Sequence, residues 1–177
     1  KAFFSPRLST ERERIAGLVK DGEVMINMFG GVGMFSLLAA KNTSCTVYNI
    51  DLNPVAAQLC KENAQINKLK GEVISLNGDA TKVINEQLTG KADRILMLLP
   101  ERSDEFLDSA LNGLKNNGVI HYYSHMHADK KQDAPKLSEE HFMSVNKTNA
   151  EIITSRNVRP VGPRFYQTVV DVKISKS

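Results

Sequence analysis

Short apolar runs alternate with helix-length stretches along most of this 177-residue chain, and that alternation constrains its fold more than any other feature. Glu23–Phe29 (EVMINMF), Thr46–Ile50, Glu72–Leu76, Ala92–Leu99 and Val119–Ser124 are short and bounded by turn residues, and they read as strands. Helices are predicted between them over Glu11–Lys20, Met34–Ala40, Pro54–Asn67, Thr81–Gln87 and Ser103–Leu114. Ser9 or Thr10 is placed to cap the first, and Pro54 suits the first turn of its own helix. Such alternation calls for a parallel sheet with right-handed crossovers and helices on both faces. The end of the chain departs from it. His127–Lys136 is polar, contains Pro135 and reads as a loop, and a helix is expected around Glu139–Asn149. Glu151–Val158 and Phe165–Ile174 then read as strands joined by Arg159–Pro163 with nothing helical between, so they pair antiparallel.

Hydrophobic residues at 41% and charged residues at 24% exclude collagen, coiled coil and bulk disorder. No apolar run nears the ~18 residues of a membrane span, so no membrane partner is expected. The net charge of +3 argues little, since nucleic-acid domains show a basic patch rather than a basic total. Cys45 and Cys60 make neither a disulfide framework nor a zinc quartet, which fits a reducing, cytoplasmic setting. His121, His125 and His127 lie close together without a carboxylate or Cys at ligand spacing, so no metal site is expected. The length suits one domain over residues 1–177, and a monomer is the default expectation. Residues 1–20 read as a lead-in segment and helix, and the start at Lys1 suggests a piece of a longer protein.

The strongest local signal is the first strand–turn–helix, NMFGGVGMF. Glycines there let a backbone approach a ligand closely, and the helix N-terminus offers free N–H groups. A dinucleotide fingerprint wants G-x-G-x-x-G; Gly31 and Gly33 supply two glycines, but Ser36 stands where the third belongs. The second strand ends in Asp51, placed to accept both hydroxyls of a ribose, or to cap the helix ahead of Pro54. Asp79 follows the third strand and can accept from an adenine amino group or cap the next helix. Nicotinamide dinucleotides and S-adenosylmethionine both carry that ribose. A seven-stranded, mostly parallel α/β sheet with a C-terminal antiparallel hairpin and helices on both faces is the Rossmann-like plan of class I methyltransferases rather than of dehydrogenases.

FSPRLSTER, NMFGGVGMFS, IDLNP, ADRILMLLP, GVIHYY and SRNVRPVGPRFYQTVVDVKI together resemble the archaeal and eukaryotic tRNA (guanine-N1)-methyltransferases, which act just 3′ of the anticodon. The resemblance runs from Phe3 to Ile174. It implies S-adenosylmethionine as cofactor and tRNA as partner, with N-terminal tRNA-gripping domains outside this chain. It places Asn27, Phe29, Gly31, Gly33, Asp51, Leu52, Asp79 and Leu98 at the cofactor, Glu11 as general base, Arg7 beside the active site, and Pro100 at the target base. Arg156, Arg159 and Arg164 cluster around the hairpin turn, where they can hold tRNA phosphates. Asn27 replaces the usual Asp at the first strand's end, and Leu98 replaces the Asn of an Asn-Leu-Pro motif. Glu11 also has an ordinary role open to it, a first-turn acid paired with Arg14 or Lys20. Glu101 is a reserve base. A wybutosine aminocarboxypropyl transferase and an inactive cofactor-binding tRNA module are the alternatives within the family.

Overall fold

The computed structural model describes residues 8–176. Its elements are α1 (Ser9–Leu18), β1 (Val24–Asn27), α2 (Met34–Asn42), β2 (Thr46–Asp51), α3 (Pro54–Ile66), β3 (Glu72–Asn77), α4 (Ala80–Val83), β4 (Ala92–Met97), α5 (Ser103–Gly113), β5 (Leu114–His127), α6 (Ala134–Val145), β6 (Asn149–Gly162) and β7 (Phe165–Ser175). One π-helical turn, Ile84–Leu88, extends α4. The seven strands lie in the order β3-β2-β1-β4-β5-β7-β6. The first five are parallel, whereas β7 runs antiparallel to both β5 and β6. The expected architecture is therefore the observed one. No helix among the described residues is long and apolar enough to cross a membrane.

Side chains alternate across the sheet with period two, so neighbouring residues feed opposite cores. Ile26, Ile95, Tyr122 and Val170 pack on one face with Leu107, Leu111 and Phe142. Met25, Leu96, Tyr123 and Val169 pack on the other with Ile15, Phe35 and Ala39. Covering both faces explains why the central strands read as continuous apolar runs.

Four features differ from the sequence reading by more than an end residue or two, each for a physical reason. Neither Ser9 nor Thr10 caps α1; both lie inside it, Leu8 is its N-cap and no side chain bonds there. Helix α6 starts at Ala134 and stops at Val145, because Pro135 begins the helix instead of breaking it. A proline in the first turn has no N–H to leave unpaired. Strand β5 begins at Leu114 instead of Val119; its polar start is paired through Asn117↔Ser175 and Gly118↔Ile174. Strand β6 runs on through Pro160 to Gly162, with three register shifts. It is the sheet's edge, where a proline costs no ladder hydrogen bond. Arg156 and Arg159 thus lie in a strand, not around the turn.

Candidate active site

The sheet order reverses at β1, with β2 on one side and β4 on the other. Loops leaving the carboxyl ends of these strands diverge, and a crevice opens between them. A cavity of about 450 Å³ lies there. The β1–α2 turn (Phe29–Val32), Asp51, Leu98–Glu101, His125, Arg159 and Gln167 line it, with Leu8 and Arg12 of α1 at one side.

The turn is built by backbone demands. Gly31 and Gly33 take φ of 55° and 91°, the left-handed region that glycine enters without strain. At Gly30 the need is space: a Cβ would lie 1.9 Å from Asn49 Oδ1. Asn49 belongs to a buried polar set beneath the turn. Ser36 Oγ donates to Asn49 Oδ1 at 2.7 Å, and Asn27 Nδ2 donates to Ser36 Oγ at 3.1 Å. Gly30→Ala must push Asn49 aside and leave these groups without partners. About 2 kcal/mol of stability should be lost, read as a lower denaturant midpoint.

Asp51 ties the turn to the next helix. Its Oδ2 accepts from the Gly31 N–H and its Oδ1 from the Asn53 N–H, both at 2.8 Å. Asn53, not Asp51, caps α3. Each carboxylate oxygen retains a second lone pair for a ligand hydroxyl. Asn27 is 1% exposed and lines the cavity, and its Oδ1 has no hydrogen-bond partner among the described residues. An unpartnered buried acceptor costs free energy, which a ligand donor reaching this oxygen would offset. Phe29 meets Phe106 edge-on at 4.8 Å.

The other expected site residues divide. Leu98 and Pro100 line the cavity, as does Arg159, whose Nε donates to Gln167 Oε1 at 2.8 Å. Asp79 caps α4 by accepting from the Lys82 N–H at 3.0 Å and does not line the cavity. Leu52 is 72% exposed and Gly33 lies behind the turn against Cys60. Arg164 sits at the hairpin tip with Asp129 at 3.3 Å, and Arg156 stands away from the cavity. Arg7 lies outside the described residues.

Glu11 is 2% exposed and is not on the cavity wall, although Arg12 on the same helix and its N-cap Leu8 are. Its Oε1 accepts from Arg14 Nη2 at 2.7 Å and from the Tyr123 hydroxyl at 2.6 Å. The ordinary pairing with Arg14 is therefore present. Among the described residues its Oε2 accepts only a 3.2 Å bond from Arg14 Nε and is the less engaged oxygen.

Sequence reasoning missed Arg12 and Gln167 on the wall. Gln167 is placed by the hairpin register, which sets it opposite both His125 and Arg159 and leaves no local mark in the sequence. Of the three clustered histidines only His125 reaches the cavity. Burial lowers its imidazole below the usual value; nearby Glu101 opposes this and Arg159 adds to it.

An open parallel sheet with its crevice at the β1 switch point and an antiparallel β7 beside β5 is the architecture of class I methyltransferases. Comparison with known proteins narrows that class. Residues 1–153 match the TRM5/TYW2 methyltransferase domain, and the chain belongs to that family. It is 39% identical over 177 residues to the tRNA (guanine(37)-N(1))-methyltransferase Trm5b of Methanocaldococcus jannaschii, covering 99% of this chain and 48% of that protein. It is 40% identical over 174 residues to the tRNA 4-demethylwyosine(37)-methyltransferase Taw21 of Saccharolobus solfataricus, covering 98% of this chain and 63% of that one. The crystal structure of M. jannaschii TYW2 in complex with AdoMet is similar at a TM-score of 0.84 and 29% identity, over 100% of this chain and 80% of that chain. The chain thus spans about half the length of the first relative and under two thirds of the second.

Proposed function

We propose that this chain is the catalytic domain of an S-adenosylmethionine-dependent tRNA methyltransferase that methylates N1 of the guanosine 3′ of the anticodon. The observation that carries the reading is the switch-point cavity. It joins a nucleoside-type half, with Asp51 and the glycine turn, to a second half walled by Leu98–Glu101, His125, Arg159 and Gln167. The fit to the cofactor rests on two features: a turn that a Cβ at Gly30 would disrupt, and the unpartnered Asn27 Oδ1.

In this reading Asp51 accepts the ribose hydroxyls, while Leu52 and Asp79, off the cavity wall at the ends of β2 and β3, border only the open adenine end. Asn27 Oδ1 accepts from the methionyl ammonium; a neutral amide does this less strongly than a carboxylate. Phe29 and Leu98 supply apolar wall. When bound, S-adenosylmethionine would supply a methyl group activated by its sulfonium. Guanine N1 carries a proton at neutral pH, so a base must remove it. Glu11, next to the wall residue Arg12 and with Oε2 its less engaged oxygen, is assigned as that base. Pro100 and Leu99 pack against the target base, which leaves its stack to enter. Arg156, Arg159 and Arg164 hold phosphates, and tRNA is the partner, met by one copy of the chain in the cytoplasm without a metal. The relatives' transfers to guanine N1 and to 4-demethylwyosine use different acceptors, and Leu99-Pro100 favours methyl transfer over the aminocarboxypropyl arm.

Calorimetric titration should show saturable S-adenosylmethionine binding, weakened about 10- to 100-fold in Asp51→Ala as charge-assisted bonds to the turn and ribose are lost. Mass analysis of tRNA nucleosides after incubation should find 1-methylguanosine. Unweakened binding in Asp51→Ala removes the ribose role, and an aminocarboxypropyl product replaces the reaction.

A further inference from the structure

A buried chain of charged groups runs between α1 and the sheet, and none of it lines the cavity. It begins at Glu23, whose two oxygens accept from Arg94 Nε and Nη2 at 2.9 and 3.1 Å. Arg94 Nη2 also donates to the Leu18 carbonyl at 3.0 Å, and Nη1 meets His121 Nε2 at 2.8 Å. His121 Nδ1 meets Asp171 Oδ1 at 2.6 Å. Asp171 Oδ2 accepts from Arg14 Nη1 at 2.5 Å, and Arg14 in turn grips Glu11. The Tyr123 hydroxyl ends the chain on Glu11 Oε1.

The hydrogen positions follow from donor chemistry. A guanidinium only donates, so His121 Nε2 accepts from Arg94 and the ring proton sits on Nδ1, donated to Asp171. His121 is therefore neutral. Its burial, at 0% exposure, lowers its pKa in the same sense. Burial works to raise the Asp171 carboxyl, but His121 and Arg14 outweigh it and hold it well below the usual carboxylate range. Asp171 is thus a fixed anion, and it shares the single Arg14 cation with Glu11.

The geometry points to Asp171 and Tyr123 as positioning residues that act on Glu11 from opposite sides, an inference that rests on Glu11 being the base. Asp171 draws off part of the Arg14 charge. Without it the whole cation bears on Glu11, which then holds its ionised form more firmly and pulls less on the N1 proton. Tyr123 does the reverse. Its O–H stabilises the ionised carboxylate, and its removal makes Glu11 quicker to protonate. The titratable and charged groups around Glu11 are Arg12 and Arg14 from α1, the neutral Tyr123 and His121 from β5, Asp171 from β7 and, further along, Arg94 from β4 with Glu23 ahead of β1. Helix α2 presents Phe35, with Arg12 over its ring at 5.8 Å.

The test is the pH–rate profile of a single methyl transfer to tRNA at saturating S-adenosylmethionine. Asp171→Asn should move the acidic limb to lower pH and lower the plateau several-fold. Tyr123→Phe, which keeps the ring packing, should move the same limb to higher pH. Cofactor affinity should stay within about twofold in both, because neither side chain lines the cavity. A structural role alone lowers the melting temperature and leaves the limb in place. Tyr123→Phe carries the test if Asp171→Asn does not fold. Glu11→Gln, run alongside, separates two failures. A parental rate there removes the base and this role with it. A slow Glu11→Gln, with limbs unmoved in the other two variants, removes the positioning role alone.

Discussion

Replacing Glu11 with glutamine is expected to slow methyl transfer at pH 7 by about 10²- to 10³-fold, the range of a lost general base, with S-adenosylmethionine affinity preserved. The amide is nearly the same size and can still accept the Tyr123 hydroxyl, so α1 keeps its place. What it cannot do is take a proton from N1. It also turns an N–H₂ toward the Arg14 guanidinium, which has only donors, and that conflict makes the loss larger than an isosteric swap in water would. The comparison that decides the assignment is Glu101→Gln. Glu101 lines the cavity, whereas Glu11 lies one residue from Arg12, which does. If Glu101→Gln takes the larger loss, the proton goes to Glu101, and Glu11 is a buried anchor paired with Arg14. Rates measured at several pH values separate the two, since a lost base flattens the acidic limb and a lost substrate contact does not.

The two halves of the cavity differ in how far they can be read from sequence, and the difference is physical. The turn half is legible because backbone geometry dictates residue type. Positive φ calls for glycine at 31 and 33, and a strand-end carboxylate at 51 is the neighbour of that turn in any open parallel sheet. The acceptor half is assembled from β4, β5, β6 and β7, and only the register of the hairpin brings Arg159, Gln167 and His125 together. Local patterns carry no such information. The same holds for boundaries. Lys115–Gly118 is polar and looks like a loop, yet it pairs with the last residues of β7; Pro160 looks like a breaker, yet it stands on the sheet's edge. The buried charged chain is the least legible feature. Arg14 and Asp171 are 157 residues apart, and Glu11 and Tyr123 are 112 apart. Taken singly, Glu11, Arg14 and Asp171 read as surface charge, because such residues are almost never buried unless paired.

That burial makes substitution at Arg94 costly in stability. Arg94→Met keeps much of the apolar stem but removes the donors to Glu23, His121 and the Leu18 carbonyl. Breaking a buried ion pair by removing one partner typically costs about 3–5 kcal/mol. Glu23 is 18% exposed at its side chain and regains some water, so the lower end is expected at pH 7.5. Acid should then narrow the gap. Burial, with Arg94 and Arg14 assisting, holds folded His121 below its usual pKa, while the unfolded chain protonates it near 6.5. The unfolded state therefore binds more protons below pH 6.5, and the parent loses stability as pH falls, by up to about 1.4 kcal/mol per pH unit. Asp171, held low, adds its own loss only further down, near the unfolded carboxylate range. In Arg94→Met the cation facing Nε2 is gone, His121 accepts a proton more readily beside Asp171, and the acid slope is shallower. Denaturant unfolding of parent and variant at pH 7.5, 6 and 5 should show their separation shrinking with each step. A separation that stays constant means that His121 does not answer to Arg94, and one that widens means that the proton goes to His121 more easily with Arg94 present than without it.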